Sequence, residues 1–214
     1  MRSTISANLQ RFEQRSIDVT DKKHAAVAIV ILDQRKETTF DGIDTSRYAT
    51  NDAAIVLTIR ASKLNTHAAQ RALPGGRIDT GETPERAALR ETHEEIGLAL
   101  SEDSIIGRLD DFATRSGYLM TPVVVWAGST KSLAANPHEV EKIHRIPCDE
   151  LLRDDAPILE SIPESEHPVM KMPLGRNEWV AAPTGAIIYQ FREVALLGKE
   201  TRVAHFEQPY FAWR

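Results

Sequence analysis

Apolar positions along the chain form short β-branched runs separated by polar turns, together with longer stretches of helical spacing. Strands are predicted at residues 24–32, 54–60, 104–114, 121–127, 140–146 and 178–181. Helices are predicted at residues 4–15, 83–96 and 185–197, with a short one at 148–152. This alternation of strands and helices predicts an α/β fold, a sandwich around a mixed central sheet.

The remaining segments lack this regularity. Residues 33–52 predict a long loop or irregular hairpin, and residues 61–72 a polar connection. Residues 154–173 are rich in Pro, Glu and Asp, so we expect them to wrap the surface. We predict one domain over residues 1–214, with a helical extension at 1–20 and an aromatic tail at 198–214. The extension and the tail are expected to dock on the domain or on a second copy, which leaves a homodimer open.

The helix at 83–96 has clear signals at both ends. Thr83 is a typical N-cap, and Pro84 suits the first helical position because its missing N–H costs nothing there. Gly97 is placed to end the helix in a left-handed conformation. The first helical turn is preceded by paired glycines at Gly75 and Gly76, which allow close backbone approach.

Three glutamates share one face of this helix. Glu91, Glu94 and Glu95 stand at i, i+3 and i+4, whereas Leu89, Thr92 and Ile96 occupy the opposite, core-seeking side. Neighbouring carboxylates repel one another, and a divalent cation would relieve the repulsion. Hard oxygen ligands suit magnesium or manganese.

Charge and cysteine content exclude several classes of function. The formal net charge is −5 and the pI is near 5.8, which argues against general nucleic-acid binding. A phosphorylated small molecule stays possible because a metal supplies local positive charge. The single cysteine, Cys148, permits no intrachain disulfide, and no apolar run approaches the ~18 residues needed to cross a bilayer. We therefore expect a cytoplasmic protein without a membrane partner.

The spacing of the glutamate segment matches a known signature. Gly76, Glu82, Arg90, Glu91, Glu94, Glu95 and Gly97 stand where the signature box of the Nudix hydrolases has its seven fixed residues. A chance match in such a chain is on the order of one in a million. The resemblance implies a Nudix-type α/β/α sandwich. It also implies metal-dependent cleavage of a nucleoside diphosphate linked to another group.

Physical chemistry and the resemblance point to the same candidate residues within the box. Hydrolysis of a pyrophosphate needs charge neutralisation and a positioned water. Glu91 and Glu95 are the expected ligands of Mg²⁺ or Mn²⁺, with a backbone carbonyl near Gly75 as an additional ligand. Glu94 would bind a second metal or hold the water. Glu82 and Arg90 are expected to pair and fix the loop against the helix.

A second resemblance, upstream and downstream of the box, is to the coenzyme A pyrophosphatase branch of the Nudix family. The positions that fit upstream are Leu57, Thr58, Arg60, Ala61, Pro74, Gly75 and Gly76. Three depart: Asn65 replaces the usual arginine, Ala69 the glycine and Leu73 the common phenylalanine. Downstream, residues 116–117, 121–123 and 136–140 are similar to segments of the same branch.

Three further residues are candidates outside the box. Arg60, at a strand end, would clamp a phosphate or form a surface salt bridge. His67 is either a substrate contact or an ordinary loop histidine. Glu139 follows a turn and precedes a strand, so it would act as a general base, as an extra metal ligand or only as an exposed acid.

The resemblance therefore implies hydrolysis of coenzyme A or an acyl derivative to 3′,5′-ADP and a phosphopantetheine. Two alternatives remain open. The first is a Nudix pyrophosphohydrolase for ADP-ribose, a dinucleotide or a nucleoside triphosphate. The second is a Nudix-fold nucleotide sensor without catalysis, which the complete set of box glutamates disfavours.

Overall fold

The apolar run that begins at Lys23 forms the strand around which the main sheet is built. The computed structural model describes residues 1–18, 21–34, 43, 52–63, 70–129 and 132–212. The strands are β1 (Lys23–Asp33), β2 (Ala53–Arg60), β3 (Arg71–Ala72), β4 (Gly75–Arg77), β5 (Ile105–Arg108), β6 (Phe112–Ala113), β7 (Tyr118–Gly128), β8 (Val140–Pro147), β9 (Ile158–Glu160), β10 (Val169–Leu174) and β11 (Glu178–Ala181). The helices are α1 (Arg2–Arg11), α2 (Pro84–Ile96) and α3 (Thr184–Phe191), and a π-helical turn over Arg192–Leu196 extends α3.

The main sheet is mixed, as the sequence predicts. Its order is β3-β2-β1-β7-β5, with β4 paired to β1, β6 to β7 and β8 to β2. Among the strand pairs of this sheet in the described residues, only β1–β7 is parallel. This places β4, which carries the paired glycines, against the edge of β1.

Side-chain alternation along β1 separates two apolar layers. Ala26, Ala28 and Val30 lie in the cluster that contains the small residues Ala87 and Ala88 of α2. Val27, Ile29 and Ile31 face the other side, where the cluster contains residues of α1, α3 and the π-helical turn. Helices therefore cover both faces of the sheet, which confirms the predicted α/β sandwich with a central mixed sheet.

A second sheet follows the first along the chain. Strands β11, β10 and β9 form an antiparallel three-stranded sheet. The prediction that residues 154–173 only wrap the surface is wrong, because Met170 and Met172 of β10 are fully buried in the same cluster as Ile29. The polar composition of this segment concealed β10, in which every residue except Lys171 is buried.

Two other sequence predictions require comment. The single strand predicted at 104–114 is wrong, because it is interrupted between β5 and β6. There the Leu109 amide bonds to Pro122 O and the Asp111 amide to Arg15 O. The loop predicted at 33–52 lies largely outside the described residues. None of the described helices is long and apolar enough to cross a membrane.

Candidate active site

Helix α2 begins and ends as its capping residues predict. The Arg86 amide donates to Thr83 Oγ1 at 3.3 Å, and Pro84 is the first helical residue. Gly97 ends the helix with φ 68°, and its amide donates to His93 O at 2.9 Å. The caps fix the length of the helix and hence the positions of its glutamates.

Arg90 ties the preceding loop to the helix. Its Nε and Nη2 donate to the two carboxylate oxygens of Glu82 at 3.0 and 3.1 Å, and Nη2 also donates to Arg77 O at 2.9 Å. The bidentate bond lowers the pKa of the Glu82 carboxyl. The predicted pairing of Glu82 with Arg90 is confirmed, and it anchors β4 to α2.

The three glutamates of the shared face differ in environment. Arg90 Nη1 donates to Glu91 at 2.8 Å and to Glu94 at 3.2 Å. The Glu94 side chain is half exposed, that of Glu91 is only 14% exposed, and that of Glu95 only 5%. The structure therefore directs Glu91 and Glu95 toward the sheet and leaves Glu94 nearer to solvent.

Glu95 is the most perturbed acid of the site. Burial raises the pKa of its carboxyl to about 8, against the opposing effects of the Arg60 guanidinium and a hydrogen bond from the Gly75 backbone. Glu95 Oε2 is buried and has no hydrogen-bond partner. A buried carboxylate oxygen without a donor is costly unless a ligand binds it.

The paired glycines of β4 leave room for Glu91. A methyl group added at Gly76 would overlap the Glu91 carboxylate, and one added at Gly75 would overlap the backbone of β1 at Ala26 and Val27. Burial raises the pKa of the Glu91 carboxyl, while Arg90 opposes the shift. Only glycine therefore allows the Glu91 carboxylate to lie directly against the strand.

Glu139 approaches the same acids from the turn before β8. The Ala61 amide donates to Glu139 O at 2.8 Å, and the Asn136 amide donates to Glu95 O at 2.9 Å. The negative charge of Glu139 contributes to the raised pKa values of both Glu91 and Glu95. The fold thus brings the predicted Glu139 candidate to the carboxylates of α2.

The donors at this site fit a hard divalent cation. Within the described ranges no three acidic, histidine or cysteine side chains converge as a formed metal site. Arg90 draws Glu91 and Glu94 to its own guanidinium. The unpartnered Glu95 Oε2, the raised pKa values of Glu91 and Glu95 and the all-oxygen donor set nevertheless fit Mg²⁺ or Mn²⁺.

A cavity of about 580 Å³ lies beside β4, whose Gly76 lies against Glu91 and whose Gly75 backbone bonds to Glu95. Gly75, Gly76 and Arg60 line it, so Arg60 belongs both to the cavity wall and to the 3.8 Å contact with Glu95. The opposite wall comes from β11 and the residues after it, including the partly exposed Trp179. This volume lies within the range of about 300–1,000 Å³ that is typical of small-molecule sites.

The sequence did not single out several residues of this cavity. Arg71, Arg77, Tyr118 and Trp179 line it, and each lies in a strand or in the box at a position without a fixed identity. The one available signal was Trp179, an aromatic residue on the predicted strand at 178–181. His67, predicted as a substrate contact, lies outside the described residues.

The sequence of this chain is similar to those of known proteins. Residues 22–164 match the NUDIX domain family. An Uncharacterized Nudix hydrolase NudL from Enterobacter sp. is 32% identical over 155 residues, which cover 70% of this chain and 72% of that protein. The NudL protein of Photorhabdus laumondii is 34% identical over 62% of this chain and 63% of its own length. Nudix hydrolase 3 from Caenorhabditis elegans is 36% identical over 104 residues, which cover 47% of this chain and 43% of that protein.

The match thus spans less than two thirds of the Photorhabdus and Caenorhabditis proteins. Among solved structures, a MutT/nudix family protein from Enterococcus faecalis superimposes with a TM-score of 0.56 at 18% identity. The superposition covers 91% of this chain and 69% of that one, and it concerns the fold alone.

Proposed function

The chain belongs to the Nudix hydrolase family, and from that membership we propose that it hydrolyses the diphosphate bond of a nucleoside diphosphate derivative. The proposed substrate is coenzyme A or an acyl-coenzyme A, and the products are 3′,5′-ADP and a 4′-phosphopantetheine. Water adds across the P–O–P bond, so that each product keeps one of the two phosphoryl groups.

One observation carries this proposal. Glu95 is buried with an unpartnered carboxylate oxygen, and it lies 3.8 Å from Arg60, which also lines the 580 Å³ cavity. A site for hydrolysis of a polyanion needs an acidic centre for a metal next to a cationic group that holds phosphate. The acids of α2 and Arg60 supply both at the edge of one cavity.

Each residue of the site has a separate proposed role in the reaction. Glu91 and Glu95 would hold the divalent cation, which supplies neutralisation of phosphate charge and a lowered pKa of bound water. Arg60 would hold a phosphate oxygen through its guanidinium fork. Glu139 or Glu94 would accept the proton of the attacking water, since both carboxylates interact with Glu91 electrostatically. Arg90 acts as a positioning residue through its bonds to Glu82 and Glu91.

The coenzyme A assignment is supported by the sequence upstream of the box. Leu57, Thr58, Arg60 and Ala61 match the coenzyme A pyrophosphatase branch, and the last three lie at the end of β2 or directly after it, near the acids. The cavity beside them is large enough for one nucleotide portion of the substrate. We also infer one domain over residues 1–214, supported by the apolar cluster that Ile29 of β1 shares with Met172 of β10.

A product assay tests the function directly. The full chain is incubated with Mg²⁺ or Mn²⁺ and with coenzyme A, ADP-ribose, NADH or a nucleoside triphosphate, and products are separated by chromatography. We expect 3′,5′-ADP from coenzyme A with a higher kcat/KM than for the other substrates. Turnover of another substrate without coenzyme A turnover would overturn the substrate assignment. Binding without any turnover would favour the sensor.

Metal dependence is tested on the same reaction. Removal of divalent cations by a chelator should abolish turnover, and added Mg²⁺ or Mn²⁺ should restore it. Circular dichroism should stay unchanged, because α2 is held by its caps and by the Arg90–Glu82 pair. Full activity in the chelated protein would contradict the metal assignment.

A further inference from the structure

A cationic cluster formed by Arg77, Tyr118 and Lys23 lies at the rim of the cavity. Arg77 Nε and Nη2 donate to the Tyr118 hydroxyl at 3.1 and 2.8 Å. The Arg77 guanidinium carbon lies 5.6 Å from the centre of the Tyr118 ring, and Lys23 Nζ lies 5.9 Å from the same centre. Both cations therefore contact one aromatic side chain, and Arg77 and Tyr118 line the cavity.

Strand register brings these three residues together from different parts of the chain. Arg77 of β4 stands opposite Ala25 of β1, and Tyr118 of β7 stands opposite Lys23 of β1. Successive side chains of a strand point to opposite faces. Because the Gly76 position faces Glu91, the Arg77 side chain leaves the strand on the other face, away from the acids of α2.

The cations of this cluster differ from Arg60 and Arg71, two other arginines that line the cavity. In the part of the chain that the structure describes, no carboxylate forms an ion pair with Arg77 or Lys23. In contrast, Arg60 lies near Glu95, and Arg71 bonds to Glu178 at 2.6 Å. Lys23 and Arg77 are both exposed, and each adds positive charge beside the Tyr118 ring. An anion from outside would relieve their repulsion.

The Tyr118 hydroxyl provides a third donor. It accepts both hydrogen bonds from Arg77, so its two lone pairs are used and its own hydrogen must be donated elsewhere. Among the described residues the Tyr118 hydroxyl donates to no acceptor. The remaining N–H groups of Arg77 and the Tyr118 O–H are thus available to one ligand that carries several acceptor oxygens.

We propose that Arg77 and Tyr118, assisted by Lys23, form a subsite for a phosphomonoester on the ribose of the substrate. The inference rests on the proposed function, in which the diphosphate lies at Glu91, Glu95 and Arg60. Gly76, which lies against Glu91, and the bonded pair of Arg77 and Tyr118 line the same cavity, so one ligand in that cavity can lie beside both. A phosphomonoester dianion suits the planar guanidinium fork better than a hydroxyl does.

This chemistry occurs in two kinds of substrate. A 3′-phosphate is present in coenzyme A and a 2′-phosphate in NADPH, whereas dephospho-coenzyme A, NADH and ADP-ribose lack it. The subsite would therefore favour phosphorylated ribose over plain ribose. It does so without touching the bond that is cut.

Equilibrium binding tests the subsite without any turnover. Isothermal titration calorimetry on the full chain in chelator compares 3′,5′-ADP, 2′,5′-ADP and 5′-AMP. We expect the preferred bisphosphate to bind at least about tenfold more tightly than 5′-AMP. Which bisphosphate binds better distinguishes the 3′ from the 2′ source. Equal affinity for 5′-AMP and both bisphosphates would overturn the proposal.

Substitutions test whether Arg77 and Tyr118 cause the preference for a bisphosphate over 5′-AMP. Arg77→Gln should reduce the ratio of bisphosphate to 5′-AMP affinity to below about threefold, and Tyr118→Phe should reduce it by a smaller factor. Arg86→Gln is the matched control, because Arg86 pairs with Glu102 on the surface, away from the cavity. An undiminished ratio in Arg77→Gln, or an equal loss in Arg86→Gln, would contradict the subsite.

A kinetic comparison separates this inference from the proposed function. The ratio of kcat/KM for coenzyme A to that for dephospho-coenzyme A should fall in Arg77→Gln, mainly through KM for coenzyme A. Turnover of coenzyme A with a ratio that Arg77→Gln leaves unchanged overturns the subsite and keeps the reaction. A bisphosphate preference that depends on Arg77, without coenzyme A turnover, supports the subsite and overturns the substrate assignment.

Discussion

The guanidinium of Arg60 lies 3.8 Å from the carboxylate of Glu95 and so joins the end of β2 to helix α2. Arg60 is also part of the cavity wall, and its charge is the main influence that opposes the raised pKa of Glu95. The sequence left open whether Arg60 forms a salt bridge or holds phosphate. The structure shows both the contact with Glu95 and a place in the cavity wall, where the proposed contact with phosphate would be made.

Replacing Arg60 should weaken catalysis more than folding. We expect Arg60→Gln to lower kcat/KM by about 10- to 100-fold, because a charge-assisted bond to phosphate is lost. Arg60→Lys should recover part of the loss, since the charge remains without the fork. Steady-state kinetics measures both, with Arg86→Gln as a surface control. Unchanged kcat/KM in Arg60→Gln would leave Arg60 with a structural role only.

The different burial of two neighbouring acids predicts different effects of their removal. Glu91→Gln should lower kcat by at least ~10²-fold, because Glu91 is the more enclosed carboxylate and is expected to bind the metal. Glu94→Gln should lower it less, since Glu94 is half exposed.

Turnover at saturating metal measures both effects, and His93→Gln, an exposed neighbour on α2, is the control. Wild-type turnover in Glu91→Gln would refute the assignment of the site. The reverse order of the two effects would shift the main role to Glu94.

A methyl group at Gly76 should disturb the position of Glu91. Because the added Cβ would overlap the carboxylate, Gly76→Ala is expected to destabilise the fold by about 1–3 kcal/mol and to reduce turnover. Urea unfolding gives the stability change. In a Glu91→Ala background the same substitution should cost clearly less, since the overlapping atoms are gone. Equal costs in both backgrounds would show that the clash lies elsewhere.

The ion pair of Arg115 with Glu207 predicts the response of stability to acid. The hydrogen bonds that Arg115 donates lower the pKa of the Glu207 carboxyl from its usual value of 4.5 to about 2. A lowered pKa in the folded state contributes stability above pH 4.5, and this contribution disappears as the pH falls from about 4.5 to 2. Because Arg115 is half exposed, we expect a contribution of about 1–2 kcal/mol after screening.

The midpoints of urea unfolding, measured between pH 2.5 and 6, report the contribution of this ion pair to stability. Glu207→Gln should be less stable than wild type at pH 6, and the difference should shrink toward pH 2.5. Glu200→Gln provides the comparison, because it removes an acid of the same tail. A difference that stays constant over this range would mean that Glu207 acts through packing rather than charge.

Local signals in the sequence predicted the elements that depend on neighbouring residues. Thr83, Pro84 and Gly97 determine the ends of α2, and the spacing of Arg90 and Glu82 predicts their pair. The β-branched runs predict β1, β2, β7 and β8, because a buried strand needs little beyond apolar side chains and polar ends. In the second sheet only β11 was predicted, as the strand at 178–181; β9 and β10 were missed, since the buried Met170 and Met172 stand in a segment rich in prolines and acids.

The sequence by itself predicted the reaction class and the acids proposed to serve it, because the box places its carboxylates and their caps within one helix and one loop. Tertiary structure decided which acids are buried, and it brought Glu139 to them from the turn before β8. It also assembled the cavity from strands distant in sequence, with Trp179 on one wall and Arg77 and Tyr118 on another. These contacts depend on strand pairing and layer packing, and no local spacing of residues specifies them.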